Sequence, residues 1–304
     1  MLKKIEDIIE SMLIIEPLLL IILIFIASKL IDKILIPINE ISTITKEISI
    51  NNFSKTISDR KNNDEIKRLV DSFNDMIIRL RDGVSKLDRF NNDVSHELRT
   101  PLTVIRGEID VTLREKRSAE YYIDTLNTIS YESKQIETIV ENLLLLTKYS
   151  SFNIEETYKI CNLDSIILNI IYKFESKYKN KNINLIINKF DSVVINANEQ
   201  LLTQIISNLI DNAFKYSEDN KNIFIELSKA DKINFLLEDE GIGISKENLL
   251  NIFDRFYRVD KSRNKKVDGF GLGLSIVKNS VDMHNWEINV NSILNKGTKV
   301  KVIF

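Results

Sequence analysis

The sequence predicts a membrane-anchored, multidomain chain. An all-α helical hairpin, pairing with a second copy into a dimeric four-helix bundle, is followed by an α/β sandwich. Three observations carry this. Residues 12–31 (MLIIEPLLLIILIFIASKLI) form a 20-residue apolar stretch. Residues 80–143 hold two long stripes of apolar side chains at 3–4 spacing, the period of a helix face. Six of the eight glycines (Gly241, Gly243, Gly269, Gly271, Gly273 and Gly297) lie in the last quarter, where the backbone must approach something closely. The expected divisions are a short N-terminal segment (1–11), a transmembrane helix (12–31), a helical relay (32–83), the hairpin (84–150) and the α/β unit (155–304).

Composition narrows the chemistry. The 304 residues are 43% hydrophobic and 28% charged, the balance of a folded protein. Lys+Arg at 42 against Asp+Glu at 44 leaves a net charge of −2, which argues against general attraction to nucleic acid. One cysteine, Cys161, rules out a disulfide framework, and two histidines, His96 and His284, rule out a multi-histidine metal centre.

At 1.5 Å per residue, residues 12–31 reach about 30 Å, the thickness of a bilayer's hydrocarbon core. Glu16 and Pro17 sit near one end, where an acidic group is tolerated better than at the centre. The rival reading is a signal peptide with Lys3 and Lys4 as its basic start, but no small-residue cleavage pattern follows. Lysines flank both sides, so charge alone does not orient the span, and the eleven residues before it are too few for a sensor domain.

After Pro37, Ile38, Ile41 and Ile44 recur at helical spacing. An Asn-rich stretch, 51–63, reads as a connector, and Ile66, Leu69, Phe73, Ile77 and Leu80 resume the helical period. Two short helices and a connector after an apolar span resemble a HAMP signal-relay domain, with Pro37 and Glu65 where that family often has a proline and an acidic residue. An ordinary helical linker is the plainer reading. The stripe continues through Val84, Leu87, Phe90, Val94, Leu98, Leu102, Ile105, Ile109 and Leu113; residues 114–118 turn, and Ile123, Leu126, Ile129, Ile136, Val140 and Leu143 line a second helix. A hairpin this apolar needs a second copy to bury it.

His96 lies two residues from both Val94 and Leu98, about 200° around the helix from the stripe, so it should face solvent. Pro101 removes the N–H that would bond Glu97 and should bend the helix one turn later. A solvent-facing neutral imidazole is a competent nucleophile, and Glu97 can orient it or take its proton. A surface His beside a Glu is by itself usually a solvated face. The string DVSHELRTPLTVIRGEIDV around it, however, resembles the phosphoacceptor box of sensor histidine kinases almost residue for residue. That resemblance implies that His96 is the phosphorylated residue, Glu97 the acid/base, and Thr100 a group that positions water for dephosphorylating the partner.

Beyond residue 155, short apolar or alternating runs at 183–188, 193–195, 223–227, 233–237, 287–290 and 299–304 suggest strands, and 164–178, 199–216 and 274–282 suggest helices. That is a mixed sheet covered by helices on one face. Four patterns fall in order. Asn208, Asn212 and Lys215 share a helix face, offering carboxamide oxygens suited to Mg²⁺ and a point charge suited to phosphate. Glu238-Asp239-Glu240-Gly241-Ile242-Gly243 ends a strand with a carboxylate beside glycines. Residues 252–258 (IFDRFYR) are aromatic and basic, and Gly269-Phe-Gly271-Leu-Gly273 opens a helix whose free N–H groups can hold phosphate. Each is weak alone: a loop, a solvated Asn pair, a turn, a piece of core.

Together and in this order they resemble the Bergerat-type ATP-binding domain shared by histidine kinases, Hsp90-type chaperones, type II topoisomerases and mismatch-repair ATPases. No Walker P-loop occurs. The resemblance puts adenine on Asp239 near Gly241, Gly243 and Thr298, Mg²⁺ on Asn212 with Asn208 beside it, and phosphates near Lys215, Gly269, Gly271 and Gly273. It makes Tyr216 and Arg258 ribose or phosphate contacts and residues 257–270 a lid. Glu240 departs from the family's usual Asn or Asp, and His284-Asn285-Trp286 from its usual His-Gly-Gly; both read as structural. The whole therefore resembles a sensor histidine kinase. This implies ATP and Mg²⁺ as cofactors, a homodimer, a response-regulator receiver domain as partner and membrane lipid around the span. It also implies a single pass of the inner (plasma) membrane with the catalytic part cytoplasmic. A self-hydrolysing ATPase needs no histidine box, and a degenerate scaffold would not keep His96, Asn212, Asp239 and three loop glycines.

Overall fold

The computed structural model describes residues 2–31, 35–47, 57, 65–148, 154–259 and 269–304. The chain divides into two compact units, Met1–Asn91 and Asn92–Phe304.

In the first unit, helix α1 (Leu2–Leu30) contains the apolar stretch Met12–Leu30, long and apolar enough to cross a membrane, with its side chains exposed throughout. Helix α2 (Ile36–Glu47) follows. Most of the connector expected at 51–63 lies outside the described residues. Its Ile57 is buried, and the Asn74 side chain clasps its backbone both ways: Ile57 N–H donates to Asn74 Oδ1 (3.0 Å) and Asn74 Nδ2 to the Ile57 carbonyl (3.1 Å).

Asn74 lies on α3 (Glu65–Thr112), a single 48-residue helix. It runs without a break through residues 83–84, where the sequence places a domain boundary, and through Pro101. Gly83 and Gly107 have open space around them, so nothing local requires glycine there. Helix α4 (Ala119–Lys148) returns, with the Thr112 and Thr125 hydroxyls 3.2 Å apart at the turn end. The stripe is only partly covered. Val94, Leu98, Ile105, Ile129 and Ile136 are half-buried and Ile139 fully so, whereas Leu102, Ile109, Leu113, Ile123, Leu126 and Val140 are exposed.

The α/β part of the second unit begins at a 3₁₀ turn, Ile154–Thr157. Strands β1 (Lys159–Asn162) and β3 (Val194–Ala197) pair antiparallel. The main sheet has the order β2-β4-β5-β7-β6, from β2 (Asn184–Phe190), β4 (Asn222–Lys229), β5 (Ile233–Asp239), β6 (Glu287–Ile293) and β7 (Gly297–Ile303). Only β2 and β4 run parallel, so the sheet is mixed as expected. Burial alternates along β4 and β5, as it must when one face meets a core and the other water. Helices α5 (Leu163–Lys177), α6 (Glu199–Tyr216) and α8 (Gly273–Met283) cover that inner face, and a single-turn helix α7 (Lys246–Leu249) follows β5.

Helix α6 shows why the sequence folds this way. Asn198 caps it, its Oδ1 accepting from Leu201 N–H at 3.0 Å. Leu201, Leu202, Ile205, Ile206, Leu209, Ile210, Ala213 and Phe214 are all buried, the larger ones each contributing on the order of 1.5–3 kcal/mol of transfer free energy. The helix can therefore take only one rotation against the sheet, which leaves Asn208, Asn212 and Lys215 half-buried on the other side. The core extends from Cys161 to Val302, so β1, α5, β2 and β3 are part of the same body as the motifs downstream. In a second, smaller cluster Leu145, from the last turn of α4, packs with Tyr158 and Met283 around Ile154 and Leu201.

Candidate active site

His96 is exposed on α3, as the stripe geometry requires, and Glu97 beside it is half-buried. Thr100 is exposed one turn on, its hydroxyl donating to the His96 carbonyl at 3.3 Å. That bond goes to the His96 carbonyl and not to the Glu97 carbonyl, the one from which Pro101 withdraws an N–H. Pro101 is buried, and α3 continues past it.

On α6 the three polar residues have different surroundings. Asn208 is committed to structure: its Nδ2 donates to the Gly273 carbonyl at 3.2 Å, and Gln204 Nε2 donates to its Oδ1 at 3.4 Å. The half-buried Asn212 carboxamide has no hydrogen-bond partner among the described residues. Lys215 is ion-paired with Asp211, which also accepts from Lys177 Nζ and from the Tyr178 hydroxyl, each at 3.0 Å. Burial pushes the Asp211 carboxyl up, but Lys215 and Lys177 outweigh it and hold it below the usual carboxylate range. The sequence reading missed Asp211, which lies between the two motif residues it had marked.

Asp239 ends β5 and is buried. Its Oδ1 accepts from Gly241 N–H (2.9 Å) and Thr298 N–H (3.3 Å), while Oδ2 takes no hydrogen bond among the described residues. Burial raises its pKa to about 6, against the two backbone donors that favour the anion. Gly241 is required by contact: a Cβ there would run into the Tyr216 carbonyl and come within 2.7 Å of Asp239 Oδ1. The neighbouring Ile242 N–H donates to that same carbonyl at 3.2 Å, joining β5's end to α6's end. Thr298 and Gly243 belong to one support. Ser292 Oγ accepts from Ile244 N–H (2.8 Å), bonds the Gly297 carbonyl (2.8 Å) and lies 2.9 Å from Thr298 Oγ1.

The glycine loop meets α6 and the Phe256–Tyr257 backbone. A Cβ on Gly269 would lie 3.9 Å from Lys215 Nζ. Gly271, at φ +70°, accepts from Phe256 N–H at 3.0 Å, and a side chain there would press on the Phe256 and Tyr257 backbone. Gly273 starts α8. The first bond across that turn is Ile276 N–H to the Leu272 carbonyl, so the preceding N–H groups have no helical acceptor. Arg258 is half-buried close enough to Tyr216 to lower its phenol pKa, though burial outweighs this and the net shift is upward. Residues 260–268 of the expected lid lie outside the described residues. A cleft of about 510 Å³ borders the site along the end of α6, lined by Lys181, Lys215, Tyr216, Ile242 and the 217–219 turn. Asp239 is not on its wall.

The two departures noted in sequence are explained. Glu240 points away from Asp239, and its Oε2 accepts from Asn222 N–H (3.1 Å) and Nδ2 (2.9 Å) at the start of β4. His284 is buried between Tyr158 and Trp286, stacked on both rings. Its Nε2 accepts from Asn198 N–H (3.2 Å) and its Nδ1 faces the Ser280 carbonyl (2.7 Å), which fixes the neutral ring; burial pushes its pKa down accordingly. Cys161 is buried on β1.

Three family matches cover this chain in order: HAMP domain over residues 31–82, His Kinase A (phospho-acceptor) domain over 86–151, and histidine kinase-, DNA gyrase B- and HSP90-like ATPase over 197–304. The signal transduction histidine-protein kinase ArlS of Staphylococcus haemolyticus is 35% identical over 279 residues, 88% of this chain and 59% of that protein. The sensor histidine kinase YkoH of Bacillus subtilis is 34% identical over 283 residues, 92% of this chain and 61% of that protein. The chain thus spans about three fifths of the length of these relatives. Among solved structures, histidine kinase ThkA in complex with response regulator protein TrrA is similar with a TM-score of 0.57 at 25% identity, over 74% of this chain and 63% of that one.

Proposed function

By its three domains in this order the chain belongs with the bacterial two-component sensor histidine kinases, and on that premise we propose that it phosphorylates its own His96 from ATP and passes the phosphoryl group to an aspartate of a response regulator. The observation that carries the ATP half is the buried Asp239. It holds Gly241 and Thr298 with one oxygen and keeps the other unbonded, an acceptor for the exocyclic amine of adenine, beside a position where contact with the Tyr216 carbonyl demands glycine. Lys215, the Gly269–Gly273 segment and the open first turn of α8 converge as phosphate donors, and Tyr216 and Arg258 flank them.

The metal is read from the donors present. Asn212 offers a half-buried carboxamide oxygen that nothing else uses, the hard ligand Mg²⁺ prefers, and the nucleotide's phosphates and water would supply the rest. Bound there, Mg²⁺ would neutralise phosphate charge. In the transfer, the unprotonated ring nitrogen of His96 attacks the γ-phosphorus as the bond to the β-phosphate oxygen breaks and ADP leaves. The proton on the other ring nitrogen passes towards Glu97. An aspartate carboxylate of the regulator then displaces the imidazole from phosphorus. For the reverse task, dephosphorylation of the regulator, Thr100 presents a hydroxyl on the same exposed turn as His96.

The exposed apolar stripe on α3 and α4 is read as the face that a second copy covers, giving a homodimer. Residues 12–31 are read as a single span through the plasma membrane, in contact with lipid, with 32–83 as signal relay, 84–150 as phosphotransfer hairpin and 155–304 as ATP-binding domain on the cytoplasmic side. The test is a chase: the labelled chain, mixed with purified response-regulator receiver domains from the same organism, should lose label as one receiver gains it. Label that stays on the chain or leaves only as free phosphate would refute transfer.

A further inference from the structure

Lys181 ends the 3₁₀ turn Lys179–Lys181 that follows α5, 27 residues before the first residue of the asparagine motif. Its ammonium donates to three carbonyls at the end of α6: Phe214 at 2.9 Å, Lys215 at 2.7 Å and Ser217 at 2.9 Å. An ammonium has three N–H donors and no acceptor, so this set satisfies it completely. Helix ends leave their last carbonyls without helical partners and carry negative dipole charge, and here one side chain answers both. The backbone of the same turn is tied in as well, Asn220 N–H donating to the Lys181 carbonyl at 3.1 Å.

The turn so fixed is the one the candidate site depends on. It carries Lys215 and Tyr216. Between the two carbonyls held by Lys181 at Lys215 and Ser217 lies the Tyr216 carbonyl, which accepts from Ile242 N–H and packs on Gly241 beside Asp239. A shift of this turn therefore moves the amine-binding carboxylate's neighbours and the phosphate-binding lysine together. We propose that Lys181 is a positioning residue for the nucleotide: it sets the last turn of α6 so that Lys215 and the Gly241–Ile242 segment hold one register. This rests on the ATP reading above. All three donors of Lys181 are spent on backbone carbonyls, and its Nζ lies over the Tyr178 ring, 5.8 Å from the centroid.

The experiment compares the wild-type chain with Lys181→Met, which keeps the stem and loses all three donors. ATP affinity is measured by calorimetry at 20 °C, and unfolding midpoints with and without saturating ATP are followed through Trp286. The dissociation constant of the Met variant should rise about tenfold, the scale of one displaced hydrogen-bonded contact. The rise in midpoint on adding ATP should shrink with it, and Lys181→Arg should recover most of the affinity. If the Met variant does not fold by circular dichroism, Lys181→Gln is read by the same criteria. A wild type that binds no ATP overturns the underlying reading. A wild type that binds, with a folded Met or Gln variant that binds equally well and only melts lower, overturns the positioning role alone.

Discussion

Asp239→Asn should move stability and affinity in opposite directions. In the nucleotide-free protein the Asp239 carboxyl is raised from its ordinary 3.8 to about 6, chiefly by burial. At about 1.4 kcal/mol per pH unit, that is about 3 kcal/mol of preference for the neutral form. The sign follows from linkage. A carboxyl that binds its proton more tightly when folded contributes stability present below pH 3.8 and lost as pH rises through about 6. Asparagine is the neutral form made permanent, and its oxygen can still accept from Gly241 and Thr298. At pH 8 without nucleotide the variant should therefore be more stable by roughly 1–3 kcal/mol, or several degrees in midpoint for a unit of this size. At pH 4 the gain should vanish. For ATP the outcome reverses, because the amide now points N–H at the N–H of the exocyclic amine. Losing a charge-assisted bond costs about 1.5–3 kcal/mol, about 10- to 150-fold in dissociation constant. Trp286, the chain's one tryptophan, packs against His284 and Phe304 within the α/β fold and reports its unfolding by fluorescence. A variant destabilised at pH 8, or one that binds ATP as well as the wild type, would refute the argument.

Asn212→Ala should lower Mg²⁺-dependent autophosphorylation by about 100-fold while weakening ATP binding by less than tenfold, since its oxygen is asked only to hold the metal; a steady-state comparison of rate against affinity checks this. Thr100→Ala should keep autophosphorylation within a few-fold and slow dephosphorylation of the regulator by much more. The quantity to read is the ratio of the two rates in one preparation, because both falling together would mark Thr100 as a brace beside Pro101. Leu126→Glu, placed on the exposed stripe, should turn a dimer into a monomer in analytical ultracentrifugation, and an unchanged mass would show that the stripe is covered some other way.

The parts of this structure written in periodic side chains were readable in advance. Helix α6 begins and ends at the residues its apolar stripe indicates, because Asn198 caps it and eight buried side chains fix its rotation. Four of the six strands read from sequence hold two or more buried or half-buried apolar residues in alternation. Strand β1 was not read: it has four residues, only Cys161 of them buried, and its one large apolar residue, Ile160, is exposed. The site is different. Asp239 meets Thr298 across 59 residues, and only the resemblance of the motifs brings them together in advance. Asp211 and Lys181 were not seen because their partners are a lysine inside the motif and three backbone carbonyls, and no side-chain pattern encodes a backbone acceptor. The helical stripe from Leu80 through Val84 to Leu113 reads as one helix, and α3 does run unbroken past Gly83, since a glycine in a helix costs only about 1 kcal/mol.

The most direct measurement is the position of the phosphoryl group. The chain, incubated with γ-labelled ATP and Mg²⁺, should acquire one acid-labile, base-stable label per phosphorylated protomer. His96→Gln should abolish it with ATP affinity unchanged, because His96 is exposed on α3 and belongs to none of the contacts that shape the nucleotide pocket. Label that persists in that variant, or label stable to acid, would contradict the account.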